Sequence, residues 1–157
     1  SVYTSPTGFV FNRMQKDAHG NAAYGAYGTC TDGGGAWAWR IQDYLKNHGL
    51  STKFYDAASP TIIKSAIDAG HMVILSTQLT SAGHIIAVKG YRGTSVLAND
   101  PYGNANVGGY GTMLNGADVE YTWQFVRAKW CVEVWQPSSQ EEFDASIAAV
   151  ENYLGKQ

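Results

Sequence analysis

Hydrophobic residues recur every three or four positions in four stretches of the chain, and this spacing predicts four amphipathic helices. In the first stretch, a Ser5-Pro6 cap signal precedes Phe9, Val10 and Met14 at helical spacing. The third repeats the cap-and-proline signal, and the fourth begins with a capping box of serine and glutamate. Glycine follows the second and third stretches and can end each helix in a left-handed conformation. The predicted helices span residues 5–20, 37–48, 59–69 and 139–154.

Short runs rich in β-branched residues follow the third helix and predict strands, because they are bounded by Gly, Ser and Asn. Residues 92–94 form a natural hairpin turn, residues 99–112 a long Gly-rich loop, and residues 120–128 a short helix. Helices first and an antiparallel sheet afterwards is the α+β pattern with segregated layers. The predicted strands span residues 72–77, 84–91, 95–98 and 129–136.

The size of the chain sets the number of domains. Its 157 residues, 45% of them hydrophobic, are enough for one core and too few for two comfortable ones. We therefore expect a single domain over residues 1–157, ending in the helix at about 139–154.

The charge balance argues against two classes of partner. The formal net charge is -2, so there is no basic surplus to neutralise a nucleic-acid backbone or an anionic membrane. No apolar run reaches the length that spans a bilayer, so we expect no membrane insertion. Low charge, at 15%, together with 18 Gly and 10 Tyr is typical of secreted or cell-surface proteins of bacteria, and we expect that location.

Two polar residues lie at the ends of neighbouring predicted strands. His84 begins one strand directly after Ser81-Ala82-Gly83, and Asp100 follows the next strand 16 residues later. In a hairpin the start of one strand lies opposite the end of the next, so the carboxylate can orient the imidazole and stabilise its cation. The structural alternative is a strand-start histidine beside an Asp-Pro turn.

The remaining reactive side chains give weaker signals. Cys30 and Cys131 can form one disulfide, can be buried free thiols, or can include a catalytic thiol, and their number alone does not decide. Cys131 lies in the middle of a predicted strand, where cysteine usually acts as a small hydrophobic residue. The other histidines are dispersed and no calcium-loop spacing occurs, so we expect no metal and no cofactor.

Three segments carry a resemblance to a known family. The segments SAGHIIAVKGY, VLANDPYG and WQFVRAKWCVEVWQP resemble the C39-like cysteine peptidases, a branch of the papain-like superfamily, over most of residues 60–136. The resemblance implies a papain-like fold, with N-terminal helices packed on an antiparallel β-sheet. It also implies that His84 and Asp100 are catalytic partners.

The nucleophile of that family is a cysteine at the start of the first helix, where a helix N-terminus lowers the pKa of a thiol. The matching stretch here is TSPT at residues 4–7, which places Thr4 at the cysteine position. A second alignment matches GGGAWAW to the cysteine-tryptophan segment of papain-like enzymes and places Ala36 there. Cys30, just ahead of the second helix, is a third candidate.

A threonine hydroxyl is a far poorer nucleophile than a thiolate near neutral pH. The resemblance therefore implies a peptidase-type domain that acts on or binds peptides, such as cell-wall or leader peptides, and that is inactive with Thr4 in place. The alternative is a pseudo-peptidase that binds a peptide or partner protein in the same cleft. Aromatic residues such as Trp37 and Tyr102 are candidates to line this groove.

Overall fold

The computed structural model describes residues 37–112 and 115–154, together with four two-residue strands in the first 36 residues. These short strands form two antiparallel pairs, β1 with β2 and β3 with β4. They are β1 (Tyr3–Thr4), β2 (Val10–Phe11), β3 (Gln15–Lys16) and β4 (Ala22–Ala23).

The helix predicted over residues 5–20 is wrong, because strands β2 and β3 both fall inside it. In the register of the first pair, Tyr3 lies opposite Phe11 and Thr4 opposite Val10. Valine and phenylalanine favour extended backbone, and the intervening sequence contains Pro6 and Gly8, which favour turns as readily as caps. The proline signal that predicted a helix start is therefore equally compatible with a strand pair.

The main sheet has six strands in the order β5-β10-β6-β7-β8-β9, and every neighbouring pair is antiparallel. Four of its strands confirm predictions, whereas β5 and β9 were not predicted as strands. The segment expected to be a helix over residues 120–128 begins with β9 and turns into a four-residue helix only at Trp123. The strands are β5 (Ser51–Tyr55), β6 (Met72–Thr77), β7 (His84–Arg92), β8 (Ser95–Asn99), β9 (Val119–Thr122) and β10 (Cys131–Trp135).

The other predicted helices are confirmed, and the one after Ser59 has both of its expected caps. Ser59 accepts a hydrogen bond from the backbone N–H of Ile62 at 3.2 Å, and Gly70 follows at a φ of +79°. The helices are α1 (Ala38–Asn47), α2 (Pro60–Asp68), α3 (Trp123–Val126) and α4 (Gln140–Leu154). The chain is thus an α+β fold, as predicted. No helix of the described part is long and apolar enough to cross a bilayer.

The hydrophobic core lies between α2 and one face of the sheet. The register places Leu75 beside both Cys131 and Ile86, so these three side chains share a face, and Ile63 of α2 belongs to the same buried cluster. Cys131 is fully buried and is a free thiol. Of the three roles left open for it, the structure supports the small core residue.

The C-terminal helix α4 packs against its own chain. The Ser146 hydroxyl donates a buried hydrogen bond of 3.0 Å to the Ser51 hydroxyl on β5, and the Trp135 indole N–H donates to Glu142 at 2.7 Å. Glu142 donates its backbone N–H to the Ser139 hydroxyl at 3.1 Å, which is one half of the predicted capping box. These bonds fix α4 over the β5 end of the sheet, far along the strand order from β9.

Candidate active site

His84 is held at the first position of β7 by its own backbone. It lies opposite Thr77 of β6, and the buried Thr77 hydroxyl donates a hydrogen bond of 2.9 Å to the carbonyl of His84. Gly83, directly before it, has a φ of +87°, a left-handed conformation that side chains with a Cβ rarely adopt. The loop therefore turns sharply into the strand and leaves the histidine at the end of the sheet.

Asp100 follows the last residue of β8, so the β7–β8 hairpin brings it to the same end of the sheet. Its Oδ1 lies 2.7 Å from Nε2 of His84. The Asp100 side chain is fully buried and that of His84 is only 8% exposed. The two residues that the sequence singled out are therefore in direct contact and almost fully shielded from solvent, where a charge-assisted hydrogen bond is strong.

Four donors surround the Asp100 carboxylate. Oδ1 accepts from His84 Nε2 and from the backbone N–H of Tyr102 at 2.9 Å. Oδ2 accepts from the hydroxyls of Tyr110 at 2.9 Å and Tyr121 at 2.8 Å. A carboxylate only accepts, so the hydrogen of the bond to His84 lies on Nε2, and a neutral ring keeps Nδ1 as its proton-accepting nitrogen.

Aromatic rings cover the pair. The Tyr102 ring lies 4.6 Å from the His84 ring between centroids, and the Tyr110 ring approaches it edge-on at 5.9 Å. Tyr102 is itself 49% exposed, so it forms the boundary between the buried pair and solvent. Of the two predicted groove residues, Tyr102 is at the site.

The two tyrosine hydroxyls remain protonated donors at neutral pH. Burial, opposed in part by the hydrogen bond from Ala105 and supported by the one to Asp100, raises the pKa of Tyr121 to about 12. Burial and the hydrogen bond to Asp100 also raise the pKa of Tyr110 well above its usual range. Both shifts favour the neutral phenol, which is the form that donates to a carboxylate.

Of the remaining predicted site residues, only Trp37 lies in the part of the chain whose side chains the structure describes. Thr4 lies on β1 rather than at a helix start, and its side chain is outside the described residues. Cys30 and Ala36 are outside them altogether. Trp37 is the N-cap residue of α1 and contacts Trp39 edge-on at 6.5 Å. No hydrogen bond or ring contact of Trp37 within residues 37–112 and 115–154 reaches the site.

Sequence reasoning missed Tyr121 and Gly116. Tyr121 was placed in a predicted helix, whereas β9 carries it into the core beneath Asp100. A Cβ on Gly116 would lie 1.8 Å from the carbonyl oxygen of Asp100, and the Asp100 N–H donates to the Gly116 carbonyl at 2.8 Å. The only signal in the sequence was a glycine shortly after the Gly-rich loop of residues 99–112, which does not indicate what it approaches.

A second histidine–carboxylate pair lies at the opposite end of β6. His71 Nδ1 is 2.6 Å from Glu133, which also accepts from the Tyr55 hydroxyl at 2.9 Å. The His71 ring stacks on Trp135 at 4.8 Å, and Trp135 binds Glu142 of α4. This cluster therefore anchors the C-terminal helix. In the described part of the chain, no group of three or more His, Cys, Asp or Glu residues is arranged to hold a metal ion.

Comparison with known proteins gives one result. The model of the Peptidase_C39 like family matches residues 2–132, which include β1 to β9, His84 and Asp100. No curated protein and no solved structure matches significantly.

Proposed function

Because the chain belongs to the Peptidase_C39 like family, we propose that His84 and Asp100 are the acid–base half of a papain-like active site directed at peptides. The observation that carries this proposal is the 2.7 Å contact between two buried side chains, with every remaining acceptor position of the carboxylate occupied. A histidine that merely begins a strand does not require this arrangement. The family match supports peptides and proteins as the substrate or ligand class.

In the proposed reaction each group has its own role. Nδ1 of His84 accepts the proton of a nucleophile while that nucleophile attacks the carbonyl carbon of a peptide bond. The imidazolium then returns the proton to the leaving amine. In the second step His84 accepts a proton from water, which attacks the acyl intermediate and completes the hydrolysis. Asp100 orients the ring through Nε2 and stabilises the imidazolium at each step.

The proposal takes position 4 as that of the nucleophile because TSPT resembles the nucleophile segment of the family, and the residue there is threonine. Its hydroxyl is a poor nucleophile near neutral pH, so the chain as it stands binds peptides and cleaves them slowly or not at all. The same observation favours a second function, a pseudo-peptidase that holds a peptide or partner protein in this cleft without cutting it. We also propose a secreted or surface location, supported only by the low charge and Gly- and Tyr-rich composition.

The test is to supply the missing thiol. In a Cys30→Ser background, Thr4→Cys is expected to react with an electrophilic thiol probe at neutral pH at least roughly tenfold faster than Thr7→Cys, the matched control. Adding His84→Ala should remove the gain. Burial raises the pKa of the Cys131 thiol to about 12, so this residue contributes little background labelling in the folded chain.

Two further variants separate the alternative alignments. If Ala36→Cys reacts in a His84-dependent way and Thr4→Cys does not, the nucleophile belongs at position 36. If Cys30 of the unaltered chain labels rapidly and His84→Ala abolishes this, Cys30 is the nucleophile and the chain is an active enzyme. If no thiol shows a rate that depends on His84, the proposed acid–base role is wrong.

A further inference from the structure

Tyr110 reaches Asp100 from a loop rather than from a strand. The glycines on either side of it, Gly109 and Gly111, have φ values of +86° and +87°, a region open mainly to glycine. The Gly111 N–H donates to the Tyr102 carbonyl at 3.0 Å, so the loop folds back over the Asp-Pro-Tyr turn. Two left-handed residues thus project a single phenol back toward the carboxylate.

The two phenols that bind Asp100 Oδ2 differ in the number of acceptors that each hydroxyl can reach. The Tyr121 hydroxyl is within reach of two acceptors, Asp100 at 2.8 Å and the Gly103 carbonyl at 3.2 Å, and it also accepts from the Ala105 N–H at 2.9 Å. It has one proton and cannot fully serve both acceptors. The Tyr110 hydroxyl is directed at Asp100 at 2.9 Å.

We propose that Tyr110 is a positioning residue, a donor carried by the loop that fixes the Asp100 carboxylate and thereby holds His84 in its Nε2–H form. Binding of Oδ2 limits rotation of the carboxylate about its Cβ–Cγ bond, which keeps Oδ1 directed at the imidazole. The Asp100 carboxylate has its full set of donors beside His84 only while the loop over residues 101–112 is folded onto these two residues. The catalytic consequence rests on the function proposed above, whereas the positioning itself does not.

The experiment reads the imidazole directly, so it needs no nucleophile and no substrate. In ¹⁵N-labelled protein, the ring nitrogen shifts of His84 report its tautomer, and the exchange of its Nε2–H with water reports the bond to Asp100. Tyr110→Phe is expected to speed this exchange by roughly tenfold or more, as for loss of a hydrogen bond to a charged group. Gly109→Ala should have the same effect with the phenol retained, because its left-handed φ is strained for alanine.

Tyr91→Phe is the matched control, since the Tyr91 hydroxyl also donates to a carboxylate, that of Asp68, at 2.8 Å on an exposed surface. It should leave His84 exchange within about twofold of the unaltered chain. The backbone amide spectrum shows whether each variant is folded, and Gly109→Ala provides the decision if Tyr110→Phe is not. Exchange and tautomer unchanged in the folded variants would overturn the proposal.

The two proposals fail separately. If Thr4→Cys stays inert while Tyr110→Phe accelerates His84 exchange, the acid–base function is wrong and the positioning role stands. If Thr4→Cys gains its reactivity and Tyr110→Phe changes neither exchange nor tautomer, the function stands and Tyr110 only packs against the site.

Discussion

Replacing Gly116 with alanine is expected to separate Asp100 from His84 without altering either side chain. The new Cβ would lie 1.8 Å from the Asp100 carbonyl oxygen and 2.8 Å from that of Gly103. Both neighbours are backbone atoms, so no flexible side chain can move aside. Real Cβ contacts essentially never fall below 3.0 Å, and the two segments must therefore move apart by at least 1.2 Å.

The size of the effect follows from the bonds that this shift breaks. Transmitted to the carboxylate, it takes the 2.7 Å contact with His84 past 3.5 Å, which is no longer a hydrogen bond. A hydrogen bond to a charged group contributes about 1.5–3 kcal/mol, and the bond between the Asp100 N–H and the Gly116 carbonyl contributes about 1 kcal/mol. We expect a loss of roughly 2.5–4 kcal/mol in the free energy of unfolding, or roughly 5–16 °C in Tm.

The assay is urea unfolding at neutral pH, together with the ¹⁵N signals of the His84 ring. Gly108→Ala, also between β8 and β9, is the control, because a Cβ there meets nothing within 4 Å and its φ lies outside the left-handed region. It should change the stability by less than about 1 kcal/mol, in the stabilising direction. Gly116→Ala with unchanged stability and an unchanged His84 Nε2–H signal would refute the reasoning.

Two further predictions concern groups outside the histidine ring. The pKa values of Tyr55 and Tyr121 are both raised from 10 to about 12. Burial is the largest cause for each residue, and a hydrogen bond to a carboxylate also contributes. Their folded-state pKa exceeds the unfolded value, so the stabilisation is full below pH 10 and is lost as the pH rises toward 12. Urea unfolding at pH 9 and pH 11 should show a smaller fall in Tyr55→Phe and Tyr121→Phe than in the unaltered chain. Ser139→Ala removes the acceptor of the Glu142 N–H and should lower the free energy of unfolding by about 1 kcal/mol, measured by urea unfolding, and an unchanged value would mean that this cap does not stabilise α4.

The site shows why a pair of residues was predictable and its surroundings were not. His84 and Asp100 are 16 residues apart on one hairpin, so two runs rich in β-branched residues and a short turn were enough to place them together. Tyr121 binds Asp100 from 21 residues away on a strand that the sequence favoured as a helix. Its burial, and not its neighbours in sequence, brings it there.

The sequence by itself determined what local physics controls: the ends of α1, the caps of α2 and α4, the β7–β8 hairpin, and the family resemblance carried by its residues. Only the tertiary structure decided the insertion of β10 between β5 and β6, the pairing of His71 with Glu133 across 62 residues, and the approach of Gly116 to Asp100. Caps, turns and periodicity act within a few residues, and they therefore leave a readable pattern. Contacts between distant segments depend on how the whole chain packs, which no short window of sequence contains.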